Sequence, residues 1–181
     1  MKQLLLLFSF LCSINISATE LVKENPSQSM MEENTSVKNF DGYSPKVGIK
    51  GFVEGGYTIG AGYSDVFRLS LIATAGWQFN PNFFIGIGSG EYYYTDSKQY
   101  AIPFYADVRI NSKSLFFDVK AGYSISDIEG FYFSPSFGCR LGTKNNTAFT
   151  FSLGYEYQKS KSLIDGSNHA SGLSTRIGFE F

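Results

Sequence analysis

The chain has little cysteine, histidine, tryptophan or proline: two, one, one and five residues among 181. Cys12 falls in an N-terminal segment expected to be removed, which leaves Cys139 alone and excludes an internal disulfide. Neither sign of charge dominates, with 15 basic residues against 16 acidic. No basic patch for nucleic acid is implied, and no nucleic-acid partner is expected. No stretch approaches the roughly 18 consecutive apolar residues of a membrane-crossing helix. Beyond Val47 no helical spacing of apolar residues is visible. What is abundant is 19 Gly, 18 Phe and 12 Tyr in a chain of only ordinary hydrophobic content, 43%.

The first residues, "MKQLLLLFSFLC", place a basic Lys2 before an apolar run through Leu11, and a short polar stretch follows as far as Ala18. This is the pattern of a secretory signal peptide, 1–18, too short to span a bilayer as a helix. Lipid attachment at Cys12 is disfavoured by bulky Leu11, where such sites need a small residue. Residues 19–46 are polar and patternless, and are expected to be a disordered periplasmic leader.

From Val47 to Phe181 the period is two. Strands are expected at about 47–59, 66–79, 83–94, 100–110, 115–126, 131–142, 147–158 and 170–181. Their lengths exceed the roughly 5–6 residues usual in soluble sheets and suit the roughly 9–11 a tilted membrane strand needs. Turn chemistry separates them: "NPN" at 80–82, "NSKS" at 111–114 and "TKNN" at 143–146. The other connections, near 60–65, 95–99, 127–130 and 159–169, read as longer.

Split by face, each strand has an apolar row and a polar row. The apolar row of the last strand is Leu173, Thr175, Ile177, Phe179 and Phe181, and that of the second is Phe67, Leu69, Leu71, Ala73, Ala75, Trp77 and Phe79. The polar rows carry Lys50, Glu54, Arg68, Asp107, Arg109, Asp118, Lys120, Arg140, Glu156, Arg176 and Glu180, set among Gly, Ser and Thr. Six cations face five acids. A ring of such faces can neutralise itself, whereas eight rows of bulky apolar side chains would overfill a barrel of this size. Turned outward in water, those rows would exceed the apolar patch a soluble monomer tolerates. Turned outward into lipid they are at home.

One strand breaks the rule. In "FFIGIGSGEYYY" strict phase puts Glu91 on the apolar side, so either it sits near a rim or a bulge at Gly88–Gly90 shifts the phase. Tyrosines gather at the long-loop ends of the strands (Tyr57, Tyr63, Tyr92, Tyr93, Tyr94, Tyr100, Tyr123, Tyr132, Tyr155, Tyr157). Trp77, Phe79, Phe83, Phe117, Phe179 and Phe181 gather at the short-turn ends. Two such girdles are what a bilayer selects. Phe52, Phe84 and Tyr105 are expected inside.

These features resemble those of small eight-stranded outer-membrane β-barrels of the OmpX and OmpA transmembrane-domain type, over residues 47–181. The resemblance implies an all-β, antiparallel, up-and-down transmembrane barrel in the bacterial outer membrane, monomeric, with both termini periplasmic. It also implies that Leu173, Ile177, Phe179 and Phe181 form the C-terminal signal read by the barrel-assembly machinery. Outer-membrane lipid and lipopolysaccharide are the implied surroundings. Lys98, Lys159 and Lys161 are candidate contacts to lipopolysaccharide phosphates, or simply solvated loop charges.

The expected role is structural or surface-interacting, around a closed and charge-filled interior. No catalytic residue, cofactor or metal is expected. Two alternatives stay open. His169 and Ser171 share one face and resemble the His-x-Ser of outer-membrane lipid A deacylases, although Gly172 stands where that motif has Asn. A soluble ligand-binding barrel of lipocalin type would require an apolar interior.

Overall fold

Period-two alternation with aromatic and β-branched residues leaves the backbone one way to satisfy its polar groups, which is pairing strand to strand. The computed structural model describes residues 45–60, 67–143, 146–159 and 169–181. They form β1 (Gly48–Gly60), β2 (Arg68–Asn80), β3 (Phe83–Tyr94), β4 (Gln99–Ser112), β5 (Leu115–Ser126), β6 (Gly130–Gly142), β7 (Ala148–Lys159) and β8 (His169–Glu180). Each strand pairs antiparallel with the next and β8 returns to β1, so the sheet closes without a free edge.

The expected signal peptide, the leader as far as residue 44, Tyr63 and Lys161 lie outside the described residues. Two residues assigned to the disordered leader, Pro45 and Lys46, lie inside them. Lys46 N–H donates to Asn146 Oδ1 at 3.1 Å, which ties the entry of β1 to the β6–β7 turn.

The strand limits fall within two residues of those expected, and the differences are informative. The stretch "NSKS" reads as a turn of four, yet β4 runs on to Ser112 and only Lys113 and Ser114 turn, with Lys113 at φ 52°. Asn111 is drawn into the strand because its buried side chain is satisfied there. Its Nδ2 donates to the Pro81 carbonyl at 3.3 Å, and its Oδ1 accepts from Arg140 at 2.8 Å. The alternation of short turns with long loops is not strict: 127–129 is shorter than 143–147.

The closure of the barrel extends one residue past β8. Gly51 N–H donates to the Phe181 carbonyl at 2.8 Å, and Phe181 N–H donates back at 3.0 Å. The Phe181 ring lies over Gly51, where a Cβ would stand 2.6 Å from two ring carbons. A bare backbone at position 51 is therefore what lets the terminal ring lie flat against the outer wall.

The outer face carries Ile49, Leu69, Leu71, Trp77, Ile87, Phe104, Phe131, Leu173, Ile177, Phe179 and Phe181, all exposed. Glu91 stays on this face. The β2–β3 register is unbroken from Arg68↔Tyr94 to Gln78↔Phe84 and pairs Leu71 with Glu91, so no bulge shifts the phase at Gly88–Gly90. The register shifts only at Gln78/Asn80, beside the turn.

The tyrosine girdle needs correction. Tyr57, Tyr100, Tyr123 and Tyr155 do face outward, but Tyr92, Tyr94 and Tyr132 point into the barrel and are buried. Tyr92 and Tyr94 flank an outward Tyr93, so the run "EYYY" feeds both faces by simple alternation.

The charged interior as candidate functional site

Eight strands enclose a lumen with room for side chains and little else. All eleven charged residues expected inside are there, each at most 2% exposed. They fall into three layers.

The middle layer arises from two similar tripeptides on consecutive strands, Asp107–Val108–Arg109 on β4 and Asp118–Val119–Lys120 on β5. Antiparallel register sets Asp107 opposite Lys120 and Arg109 opposite Asp118, so opposite charges meet at both positions. Glu54 reaches across the lumen from β1 to Arg109 at 3.3 Å and to Lys120 at 3.1 Å. Asp118 also pairs with Lys120 and accepts from Ser136 Oγ. The Arg109 guanidinium lies between two rings, 3.9 Å from the centroid of Phe52 and 4.7 Å from that of Phe116. Cation–π attraction is strongest where water is excluded, as here.

The lower layer, at the short-turn end, joins Lys50, Arg140 and Glu180. Lys50 Nζ is 3.3 Å and Arg140 Nε 3.1 Å from the Glu180 carboxylate. Both cations also find neutral acceptors in or near the turns: Lys50 the Asn146 carbonyl at 2.8 Å, and Arg140 the Asn111 amide oxygen.

The upper layer, at the long-loop end, is built from tyrosines around Glu156. That carboxylate accepts from Thr58 Oγ1 at 2.7 Å, from Tyr92 Oη at 3.1 Å and from Arg176, and it lies 3.4 Å from Arg68 Nη2. Tyr92 and Tyr132 share a hydroxyl–hydroxyl bond of 2.7 Å. Arg68 bonds Tyr94 Oη, and Arg176 bonds Tyr132 Oη and Ser134 Oγ.

Above these groups lies Ile128, fully buried in one cluster with Tyr92, Tyr94, Ala101, Tyr132 and Ala170. It comes from the β5–β6 connection, which is folded inward. Ile128 N–H donates to the Tyr100 carbonyl, and Asp127 accepts from Tyr100 N–H at 3.0 Å.

The inward rows are not as small as Gly, Ser and Thr alone would make them. Phe52, Phe84 and Tyr105 are buried as expected, but Ile72, Phe116, Tyr92, Tyr94, Tyr132 and Ile128 join them. The parity of Ile72 and Phe116 with their charged strand-mates was the available signal. Ile128 had none, because nothing local says that a loop folds into the lumen.

The remaining candidates lie outside. Leu173, Ile177, Phe179 and Phe181 face outward and exposed. His169 and Ser171 are on the outer face of β8. His169 stacks on Tyr157 with centroids 5.9 Å apart, and the acids of β7 and β8, Glu156 and Glu180, both point inward. Lys98 lies in the β3–β4 turn at φ 54°, and Lys159 is exposed at the end of β7. Cys139 lies on the outward row of β6.

No protein-family model matches the chain, and no curated protein sequence matches it. Among solved structures it is similar to a de novo designed transmembrane β-barrel, at 17% identity and a TM-score of 0.46, covering 77% of this chain and 98% of that one. A second designed barrel, TMB2.3, matches at 14% identity and a TM-score of 0.42, over 76% of this chain and 94% of that one. The outer membrane protein AlkL, determined in lipid bilayers, matches at 10% identity and a TM-score of 0.36, over 88% and 92%. None of these likenesses bears on what the chain does.

Proposed function

We propose that the chain is an integral outer-membrane β-barrel whose interior is a closed, crosslinked charge network, and that it serves a structural or surface-interaction role rather than transport or catalysis. The observation that carries this reading is the opposition of its two faces. Eleven charged side chains are buried inside, while large apolar side chains are exposed around the outside. Such an outer wall is stable against hydrocarbon and not against water. A lipocalin-type carrier needs an apolar lumen, and this lumen is filled by ion pairs.

On this reading the chain is exported by its signal peptide and inserted as a monomer with both termini in the periplasm. Phe181, with Phe179, Ile177 and Leu173, is offered to the barrel-assembly machinery. The outer wall meets outer-membrane lipid and lipopolysaccharide. No cofactor, metal or nucleic acid takes part.

Two measurements test the proposal. Phe181→Asp should leave the protein out of the outer-membrane fraction and abolish heat-modifiable mobility on a gel; normal insertion of this variant would refute the assembly role. Planar-bilayer recording on the purified protein should show no stable conductance, because long-range motion of the paired side chains would be needed to open a path. Reproducible, long-lived openings of the folded monomer would make it a pore.

A further inference from the structure

The three interior layers do not balance singly. Among the described residues the upper layer has two cations to one acid, the middle two to three, and the lower two to one, an excess of one positive charge. The lower layer spreads its excess onto the Asn146 carbonyl and the Asn111 amide oxygen. The upper layer has fewer acceptors than donors. Glu156 already serves Arg68, Arg176, Thr58 and Tyr92. Beyond those bonds Arg68 Nε, Arg176 Nε and Nη1, and the hydroxyls of Ser70 and Ser174 are buried without a hydrogen-bond partner.

These groups surround one stretch of β1. Gly56 pairs with Ser70 on one side and Arg176 on the other, while Thr58 pairs with Arg68 and Ser174. A Cβ at Gly56 would stand 2.7 Å from both Arg176 Cγ and Ser70 Oγ, so only glycine lets the two approach. Buried donors left unmade and a buried charge left unpaired are each strongly unfavourable. A water molecule would accept from two donors, but it brings two hydrogens of its own and no charge. A small anion answers both deficits.

We propose that the upper layer binds a small monovalent anion of the halide class between Arg68 and Arg176, with the hydroxyls of Ser70 and Ser174 as neutral donors. On the long-loop side Ile128 packs in one cluster with Tyr94 and Tyr132, the tyrosines that bond Arg68 and Arg176. This inference rests on the closed barrel alone and holds wherever the barrel resides.

The test is urea unfolding of the purified protein in detergent micelles, followed by Trp77 fluorescence, with sodium bromide exchanged for sodium gluconate at constant ionic strength. The midpoint should rise with bromide and saturate. General salt effects of bromide run the other way and do not saturate. The double variant Ser70→Ala/Ser174→Ala removes no charge, and it should lose most of the saturable rise while folding normally in gluconate. Crystals grown in bromide should give an anomalous peak between Arg68 and Arg176. A bromide-independent midpoint in the wild type would overturn the proposal, as would a rise of equal size in the double variant or a site filled by water only.

Discussion

The middle and upper layers of the lumen use the same chemistry to opposite effect. In the middle, three carboxylates surround Arg109 and Lys120, and direct cross-strand pairing puts each Asp against a cation. The aromatic rings of Phe52 and Phe116 flank the guanidinium. In the upper layer one carboxylate serves two arginines, and tyrosine hydroxyls take the place of further acids. The middle is a lattice with charge to spare on the acid side. The upper is a hub, in which both arginines share the one carboxylate of Glu156. A lattice tolerates the loss of a member better than a hub does, because its remaining members still pair with one another.

The largest expected effect breaks the hub. Glu156→Gln removes the one acid of the upper layer and deprives Arg68 and Arg176 of the carboxylate they share. Loss of one partner from a buried pair typically costs about 3–5 kcal/mol, and urea unfolding in lipid vesicles should show a destabilisation of that order. A loss no greater than that of a surface substitution would mean that the two arginines find other partners.

Next in size is the cap over the hub. Ile128→Ala removes a fully buried side chain and is expected to cost about 2–3 kcal/mol, the lower part of the range for such truncations, because a short connection can partly collapse. Hydrogen exchange should rise at the amide of Ile128 and at that of Tyr100, which are joined through the same connection. Exchange unchanged there would separate the cap from the loop.

The sharpest comparison is the same carboxylate-to-amide change made in the lattice. Asp118→Asn takes the middle layer from an excess acid to balance, while Glu54 and Asp107 still serve Arg109 and Lys120. The expected cost is about 1 kcal/mol, close to that of a single hydrogen bond. Should Asp118→Asn prove as damaging as Glu156→Gln, the distinction between lattice and hub is wrong.

The smallest expected effect is Tyr92→Phe, about 1 kcal/mol or less. It removes a hydroxyl that bonds Tyr132 and Glu156 but leaves the ring packed against Tyr132. Combined with Glu156→Gln it should cost less than the sum of the two, since the hydroxyl acts through that carboxylate; strict additivity in the double-mutant cycle would rule out the coupling.

Much of this was legible beforehand. Alternation placed the strands and assigned Lys50, Arg109 and Glu180 to one side and Leu71, Ile177 and Phe181 to the other. Parity is the stronger signal wherever it conflicts with local residue chemistry. Composition marks Asn111 as a turn residue, whereas its parity, that of Arg109, is the one the strand keeps. Residue type points Tyr92, Tyr94 and Tyr132 to an outer girdle, but Tyr132 shares the row of Arg140 on its own strand, and the register sets Tyr94 beside Arg68. Of the two readings open for Glu91, a place near a rim or a bulge at Gly88–Gly90, the unbroken β2–β3 register excludes the bulge, and Glu91 lies three residues from the end of β3.

The sequence alone determined which residues share a face, since a strand returns each side chain to the same side every second residue whatever surrounds it. It could not determine which inward residues meet. Glu54 reaches Arg109 across 55 positions of chain, Tyr92 reaches Glu156 across 64, and Thr58 reaches Glu156 across 98. Those encounters depend on the stagger and tilt at which eight strands close, and that is a property of the whole sheet rather than of any strand. Closure therefore decided that Glu54 meets Arg109 and Lys120, that Glu156 became a hub, and that Ser70, Ser174, Arg68 and Arg176 were left together around Gly56.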